Sequence, residues 1–311
     1  MVFAAGRGER MQPLSSVLPK PALPLPDGPV IASALRLAAA TGVGRVAVNV
    51  CHLAERMAEA VAEVAIDEVE TVLSFEGELM GTAGGLALAR DRGLLGESGS
   101  VLVMNGDCAL GLDLIGFVEH HLANDNLVTL ALLPHLDPIR WSRVVVDADG
   151  LVSAIHPPGY PDPLEVPLLY PGVMVVQREA LDSLPAAPSE ILTTLWSPAR
   201  SKGRLGGRVV AGHWREVGTP TDYLDVMLDR LAGSKVVDAS AKVGHAASIV
   251  SSYVGRDAVI GDGAIVEDSV IAEGAVIGDN ARVQRSVLFG SVRVGDGEIV
   301  SDSVRAVPRP G

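Results

Sequence analysis

Two cations ten positions apart, Arg10 and Lys20, stand on either side of a short proline-bearing stretch. They follow the loop Ala5-Gly6-Arg7-Gly8-Glu9-Arg10, which is itself entered from the apolar run Val2-Phe3-Ala4. Glycine accepts positive φ and lets a ligand approach main-chain N–H groups, so such a loop after a strand can cradle phosphates. It is not a Walker A loop, because no Gly-Lys-Ser/Thr closes it, and the third glycine of a dinucleotide fingerprint would fall on Met11. Taken alone, the two glycines serve a tight strand-to-helix turn equally well. A carboxylate follows at Asn105-Gly106-Asp107, just past an apolar run over 101–104. Ligands of doubly wound sheets gather beyond the carboxyl ends of the strands, where a carboxylate can hold Mg2+ against phosphate oxygens. Asn-Gly-Asp is also an ordinary turn sequence. His120 and His121 have no partner at metal-ligand spacing and read as structural.

These groups need elements to carry them. Up to about residue 134 the pattern alternates strand and helix. Strands are predicted over 45–50, 71–74, 101–104 and 127–133, and helices over 30–40, 53–65, 81–90 and 112–123, with Gly42 capping the first helix. Repeated β-α-β units predict a Rossmann-like, doubly wound, mainly parallel sheet. Beyond it, 143–147 and 151–155 read as a hairpin turning at Asp149-Gly150. The segment 156–171 is proline-rich and irregular, as at a pocket edge. A strand over 172–176, a short helix over 178–184 and a helix over 220–231, with Pro220 in its first turn, complete this part.

The period then changes. Val237, Val243, Ile249, Val254, Ile260 and Val266 begin an apolar series that continues to Val300 in steps of 6, 6 and 5. The repeat is 17 residues with three apolar corners, too wide for a helix and too regular for hairpins. A triangular coil of short stacked strands fits it, and four turns at about 4.8 Å make a rod roughly 15–20 Å long.

The chain has 311 residues, 48% of them hydrophobic but only 4% aromatic, so its core is aliphatic, as in proteins built on parallel sheets. A net charge of −13 argues against nucleic acid or an anionic membrane as partner, and requires local cations or metal to hold an anionic ligand. Two cysteines, Cys51 and Cys108, give neither a disulfide framework nor a zinc site and point to a reducing, cytoplasmic setting. No apolar run reaches the length of a membrane helix, and no signal core precedes the fold. The first strand begins unusually close to Met1, as if a typical first strand were short by a residue or two.

The fuller string A-A-G-x-G-x-R-M-x-P-L, followed by P-K-P-x-L-P, closely resembles the signature loop of the sugar-1-phosphate nucleotidylyltransferases. The resemblance implies that Ala4, Ala5, Gly6 and Gly8 wrap a nucleoside triphosphate while Arg10 and Lys20 neutralise its phosphates where pyrophosphate leaves. Gly81-Thr82-Ala83-Gly84-Gly85 resembles the family's nucleobase segment, which assigns Gly81, Thr82 and Gly85 to the nucleotide. Asp107 matches the family's metal-binding aspartate. Trp214-Arg215-Glu216-Val217-Gly218-Thr219-Pro220 resembles its W-x-D-[IV]-G-T-P segment, making Glu216 the second ligand of Mg2+ with one methylene more than usual. Many members carry Glu-Lys-Pro after the hairpin, where the lysine holds the sugar phosphate; here His156-Pro157-Pro158 stands instead. His156, Glu165 and Gly172 are the acceptor-side candidates, with Arg143 in the same region.

The resemblance implies an NTP-transferase domain over 1–232 and a left-handed β-helix of hexapeptide repeats over 233–311. The implied reaction condenses NTP and sugar 1-phosphate to NDP-sugar and pyrophosphate, with Mg2+ as cofactor and a homo-oligomer formed through the β-helix. The base segment with a β-helix tail is most like mannose-1-phosphate guanylyltransferases, which favours GDP-mannose. The Gly-Glu-Arg-Met loop equally resembles bacterial uridylyltransferases, leaving a UTP- or dTTP-using enzyme acting on glucose or N-acetylmuramate phosphate as the alternative. A non-catalytic sugar-nucleotide-binding regulator is favoured by Glu216 and the missing lysine and opposed by Arg10, Lys20 and Asp107. An acyltransferase in the coil would have only His245 to use.

Overall fold

Short aliphatic runs punctuated by glycine and proline set most strands of the first 230 residues. The structure, a computed structural model, describes residues 1–64, 66, 69–97, 99–134, 137, 139–160 and 166–308. Strand β1 (Val2–Phe3) feeds the glycine loop, and a clip of β2 (Pro24–Leu25) and β3 (Gly28–Pro29) closes the stretch after it. There follow α1 (Ala32–Ala40), β4 (Arg45–Val50), α2 (Ala54–Glu63), β5 (Glu70–Phe75), α3 (Gly81–Asp91) and β6 (Val101–Asn105). Gly42 lies just past α1 at φ 80, the left-handed conformation that ends a helix. The strands stand in the order β6-β1-β4-β5, all parallel, with aliphatic clusters on both faces.

The helix expected over 112–123 is a correction. Strand β7 (Cys108–Leu112) follows Asp107 directly, and α4 begins only at Ile115 and ends at Leu122. The run Cys108-Ala109-Leu110-Gly111-Leu112 is short and glycine-bearing, and pairs with a strand a hundred residues away, β14 (Gly212–Glu216), rather than coiling onto the next turn. His121 is structural as expected: it is buried, with Nδ1 2.8 Å from Thr129 Oγ1 and Nε2 3.1 Å from Ser100 Oγ. The predicted end of α2 at residue 65 lies outside the described residues.

Strand β8 (Val128–Pro134) opens the second half, and β9 (Arg143–Val146) with β10 (Val152–His156) makes the expected hairpin. Strand β11 (Leu168–Leu169) lies between β8 and β9, inside the segment expected to be irregular. The sheet reverses at β12 (Val173–Val176), which runs antiparallel between β6 and β8. After α5 (Arg178–Asp182), a π-helical turn over Leu192–Trp196 runs into α6 (Ser197–Ser201), and β13 (Leu205–Val209) adds to β8 in parallel. Helix α7 (Pro220–Leu231) is capped by Thr219, whose hydroxyl accepts from Asp222 N.

The C-terminal part is a three-sided parallel β-helix. One face carries β15 (Val236–Val237), β18 (Tyr253–Val254), β21 (Val270–Ile271), β24 (Val287–Gly290) and β27 (Val304–Val307). The second has β16 (Lys242–Val243), β19 (Val259–Ile260), β22 (Val276–Ile277) and β25 (Arg293–Val294), and the third β17 (Ser248–Val250), β20 (Ile265–Glu267), β23 (Arg282–Gln284) and β26 (Ile299–Ser301). Every pairing is parallel with a register of 17, as in Val236↔Tyr253 and Ser248↔Ile265. The predicted corners fill the interior except in the first coil, where Val237 and Val243 stay 36% and 45% exposed because no coil lies beyond them. Asp262, Asp279 and Asp296 each accept a backbone N–H from the preceding turn, a ladder that satisfies the corners. No helix among the described residues is long and apolar enough to cross a membrane.

Candidate active site

The glycine loop leaves β1 at the carboxyl edge of the parallel strands. Ala4 N donates to Asn49 Oδ1 at 2.7 Å, which ties the loop's first residue to β4. Gly6 faces open space, and Gly8, at φ 61, starts the turn Glu9–Met11. Two more short turns, Leu14–Ser16 and Lys20–Ala22, keep the loop compact over buried Met11, Leu14 and Leu23. The loop therefore rests on an apolar floor and turns its cations upward. Lys20 is only 8% exposed, and its Nζ lies 2.7 Å from Asp107 Oδ2. A cleft of about 780 Å³ opens above, lined by Ala4, Ala5, Gly6, Gly8, Arg10, Lys20, Gly81, Thr82 and Asp107. The fold thus brings together in one cavity groups that lie a hundred residues apart in sequence.

At one end of the cleft α3 begins with Gly81 at φ 69, where an added Cβ would meet Ser189 O at 2.5 Å. The segment 188–190 therefore closes onto the helix start. Thr82 is committed to that closure: its hydroxyl donates to Glu190 Oε2 at 3.0 Å and accepts from Ile191 N at 2.9 Å. Gly85 does not line the cleft. Its missing side chain makes room for the Glu76 carboxylate, since a Cβ would lie 2.6 Å from Glu76 Oε1. Glu76 lines the cleft while only 6% exposed; Oε1 accepts from Asn49 Nδ2 at 2.7 Å and Oε2 from Met80 N at 3.1 Å. Asn49 and Glu76 were missed in the sequence. The available signal was a lone amide inside the apolar run 45–50 and a carboxylate at the end of the next strand.

Glu216 ends β14 in register with Cys108, so it arrives next to Asp107 from a separate sheet. It faces a second cavity of about 700 Å³. Its two oxygens are held by different groups: Oε1 by Arg10 Nη2 at 3.2 Å, and Oε2 by Arg140 Nη2 at 3.2 Å and Trp141 Nε1 at 3.1 Å. Arg140 also donates to Asp222 Oδ1 at 2.8 Å and stacks 4.9 Å from the Trp141 ring centre. Burial raises the Asp222 carboxyl, but the hydrogen bonds from Arg140 and Thr219 outweigh it and hold the group below its ordinary value. Trp141 and Trp214 meet edge to face at 5.2 Å and form the aromatic wall. The two cavities adjoin at the Arg10–Glu216 contact, because Arg10 lines the first and Glu216 the second. Arg140 and Trp141 were also absent from the expected set; nothing local marks them.

Asp107 and Glu216, which line the two adjoining cavities, have the donor chemistry that Mg2+ takes, one or two carboxylates with water and substrate phosphates completing the shell. Both are already countered by cations, Asp107 by Lys20 and Glu216 by Arg10 and Arg140. Among the described residues no cluster of three or more His, Cys, Asp or Glu side chains gathers to hold a metal, here or elsewhere.

The acceptor candidates are scattered. His156 ends the edge strand β10, stacks on Tyr160 at 4.1 Å and lines neither cavity. Gly172 is one step removed: its carbonyl accepts from Asn105 N at 2.8 Å, and a Cβ would strike the Asn105 side chain, which lines the first cleft. Glu165 lies outside the described residues.

A family model described as Nucleotidyl transferase matches residues 1–233, and one described as GlmU-like, C-terminal hexapeptide matches 232–305. Mannose-1-phosphate guanylyltransferase 1 of Arabidopsis thaliana is 26% identical over 274 residues, covering 80% of this chain and 74% of its own. The mannose-1-phosphate guanylyltransferase of Mycobacterium tuberculosis is 27% identical over 250 residues, covering 79% and 67%. Among solved structures, HddC from Yersinia pseudotuberculosis complexed with GMP-PN superposes with a TM-score of 0.62 at 20% identity, over 73% of this chain and 97% of that one.

Proposed function

Because the chain belongs to the nucleotidyl transferase family, we propose that it joins a nucleoside triphosphate to a sugar 1-phosphate with release of pyrophosphate, and that its substrates are GTP and mannose 1-phosphate. The observation that carries this reading is the 2.7 Å contact of Lys20 with Asp107 inside the cleft that opens above the glycine loop. An oxygen of the sugar phosphate attacks the α-phosphorus in line and the pyrophosphate oxygen departs. The protein supplies position and charge rather than covalent chemistry. Ala4, Ala5, Gly6 and Gly8 wrap the triphosphate, and Arg10 and Lys20 offset the charge that grows on the leaving group. Asp107 and Glu216 would hold Mg2+, which when bound neutralises phosphate oxygens. The sugar ring enters the second cavity, where Trp141 and Trp214 offer apolar faces and Asp222 and Asp225 offer acceptors to hydroxyls. His156 takes no part.

Guanine is favoured over uracil and thymine by Glu76. A carboxylate at the end of the cleft accepts from the paired N1–H and N2–H donors of guanine, whereas uracil and thymine present one N–H flanked by two carbonyl oxygens that it repels. The names of the curated relatives point the same way. The transferase domain is proposed to span 1–232 and the β-helix 233–311, a division supported by the end of α7 at Leu231 and by family matches that meet at 232–233. Homo-oligomers are proposed through the first coil, whose strands β15, β16 and β17 have a free edge.

The test is product analysis after incubation with Mg2+, the four NTPs and dTTP together, and a panel of sugar 1-phosphates. GDP-mannose is the expected main product. In Glu76→Gln, which replaces the charge with an amide of the same shape, kcat/KM for GTP is expected to fall about ten- to a hundred-fold relative to UTP. An unchanged base preference in Glu76→Gln, or a UDP- or dTDP-sugar as main product of the wild type, would remove the GTP assignment and leave the alternative pyrimidine enzyme.

A further inference from the structure

The three faces of the coil are not equivalent. Along the first face the outward positions are Val236, Tyr253, Val270, Val287 and Val304 in one ladder and Asp238, Gly255, Ala272, Phe289 and Ala306 in the next. The second ladder is polar or small everywhere except at Phe289, which is 1% exposed. Phe289 points away from the coil's own interior and packs edge-on against Tyr223 of α7, ring centres 6.0 Å apart. The Tyr223 hydroxyl in turn donates to Pro24 O at 2.7 Å, just beyond the glycine loop. Met11, Leu14 and Leu23, the apolar residues beside Arg10 and Lys20, belong to the same buried cluster as Tyr223, Val287 and Phe289. The floor of the phosphate loop is therefore made of α7 and the fourth coil together. Leu288, one residue away, faces the opposite direction into the interior of the coil.

We propose that Phe289 is a positioning residue for the triphosphate loop. Through Tyr223 and the loop's own apolar underside it fixes the height at which Arg10 and Lys20 meet the nucleotide, so the coil is part of the transfer site's support. This rests on the reading that the loop holds the triphosphate. Displacements well under an ångström in such supports reach the reacting groups because packed cores do not deform smoothly.

The test compares Phe289→Ala, Phe289→Leu and Leu288→Ala in the full chain. Steady-state kinetics are run with NTP limiting and with sugar phosphate limiting. Equilibrium binding of a non-hydrolysable GTP analogue and thermal melting are measured alongside. Phe289→Ala is expected to raise KM for NTP and weaken analogue binding about ten-fold, with KM for the sugar phosphate unchanged within two-fold. Phe289→Leu, which keeps part of the packing and serves if Phe289→Ala does not fold, is expected to show a smaller rise, about three-fold, in the same two quantities. Leu288→Ala is expected to lower the melting temperature as much while leaving both affinities alone. Equal NTP affinity in wild type and the Phe289 variants, or an equal loss in Leu288→Ala, overturns the proposal. A wild type that binds the analogue but makes no NDP-sugar sinks the transferase reading while this comparison of affinities still stands, and a wild type that binds no nucleotide sinks both.

Discussion

Asn49 answers to two partners at once: its oxygen receives the Ala4 N–H and its amide donates to Glu76. It is 3% exposed, and its partners Ala4 and Glu76 are themselves buried. Asn49→Ala leaves a buried N–H and a buried carboxylate oxygen unpaired, at about 1–3 kcal/mol each. The expected outcome is a loss of about 2–4 kcal/mol in denaturant unfolding, together with a higher KM for NTP, because the loop start and the base end share this one amide. Unchanged stability would mean that both partners find other bonds. Arg10, Lys20 and Asp107 were legible in the sequence because each sits in a short, chemically distinctive string. Asn49, Glu76 and Arg140 were not, because their significance comes from partners 27 to 82 residues away that no local pattern announces. His156 shows the converse: a plausible side chain in the matching stretch, carried off to a sheet edge by the hairpin it terminates.

The elements that form by their own pattern were the ones read correctly. Strand β4 and helix α7 lie where aliphatic continuity and an N-cap with proline place them. Strand β13 was missed because Leu205-Gly206-Gly207-Arg208-Val209 has no strand propensity; it exists through its parallel pairing with β8. Gly207 is required there, since a Cβ would meet Leu132 Cδ1 and Val146 Cγ2 at 2.8 Å. Strand β7 failed for the same reason, its partner β14 being remote. Helix α4 gives a pH-dependent check on this part of the fold. Burial, and then the nearby His120, lower the pKa of His121 from 6.5 to about 4, so the folded form keeps it neutral. Between those values the unfolded chain binds the extra proton, so stability is full above pH 6.5 and falls as pH drops toward 4. Wild type is expected to lose about 2–3 kcal/mol more than His121→Gln between pH 7.5 and 4.5 in urea melts. Identical pH dependence in the two proteins would contradict the burial account.

At the scale of the whole molecule, a chain of net charge −13 needs local cations to hold an anionic nucleotide, and the proposed function assigns that task to Arg10 and Lys20. The coil was legible almost to the residue, because a 17-residue period is written in the sequence and each turn repeats the one before. How the coil attaches was not legible: Phe289 differs from its ladder in a single position, and only the packed structure shows that it faces the loop's floor. The central claim is that the cleft joining Lys20 to Asp107 is the transfer centre. The most direct measurement counts pyrophosphate and NDP-sugar from the same reaction mixture, with Mg2+, mixed NTPs and a panel of sugar 1-phosphates, for wild type, Lys20→Ala and Asp107→Ala. Wild type is expected to form the two products one for one, and each variant to lose about a thousand-fold or more in turnover while remaining folded. Near-normal turnover in either folded variant, or no pyrophosphate release by the wild type on any pair, would contradict the account.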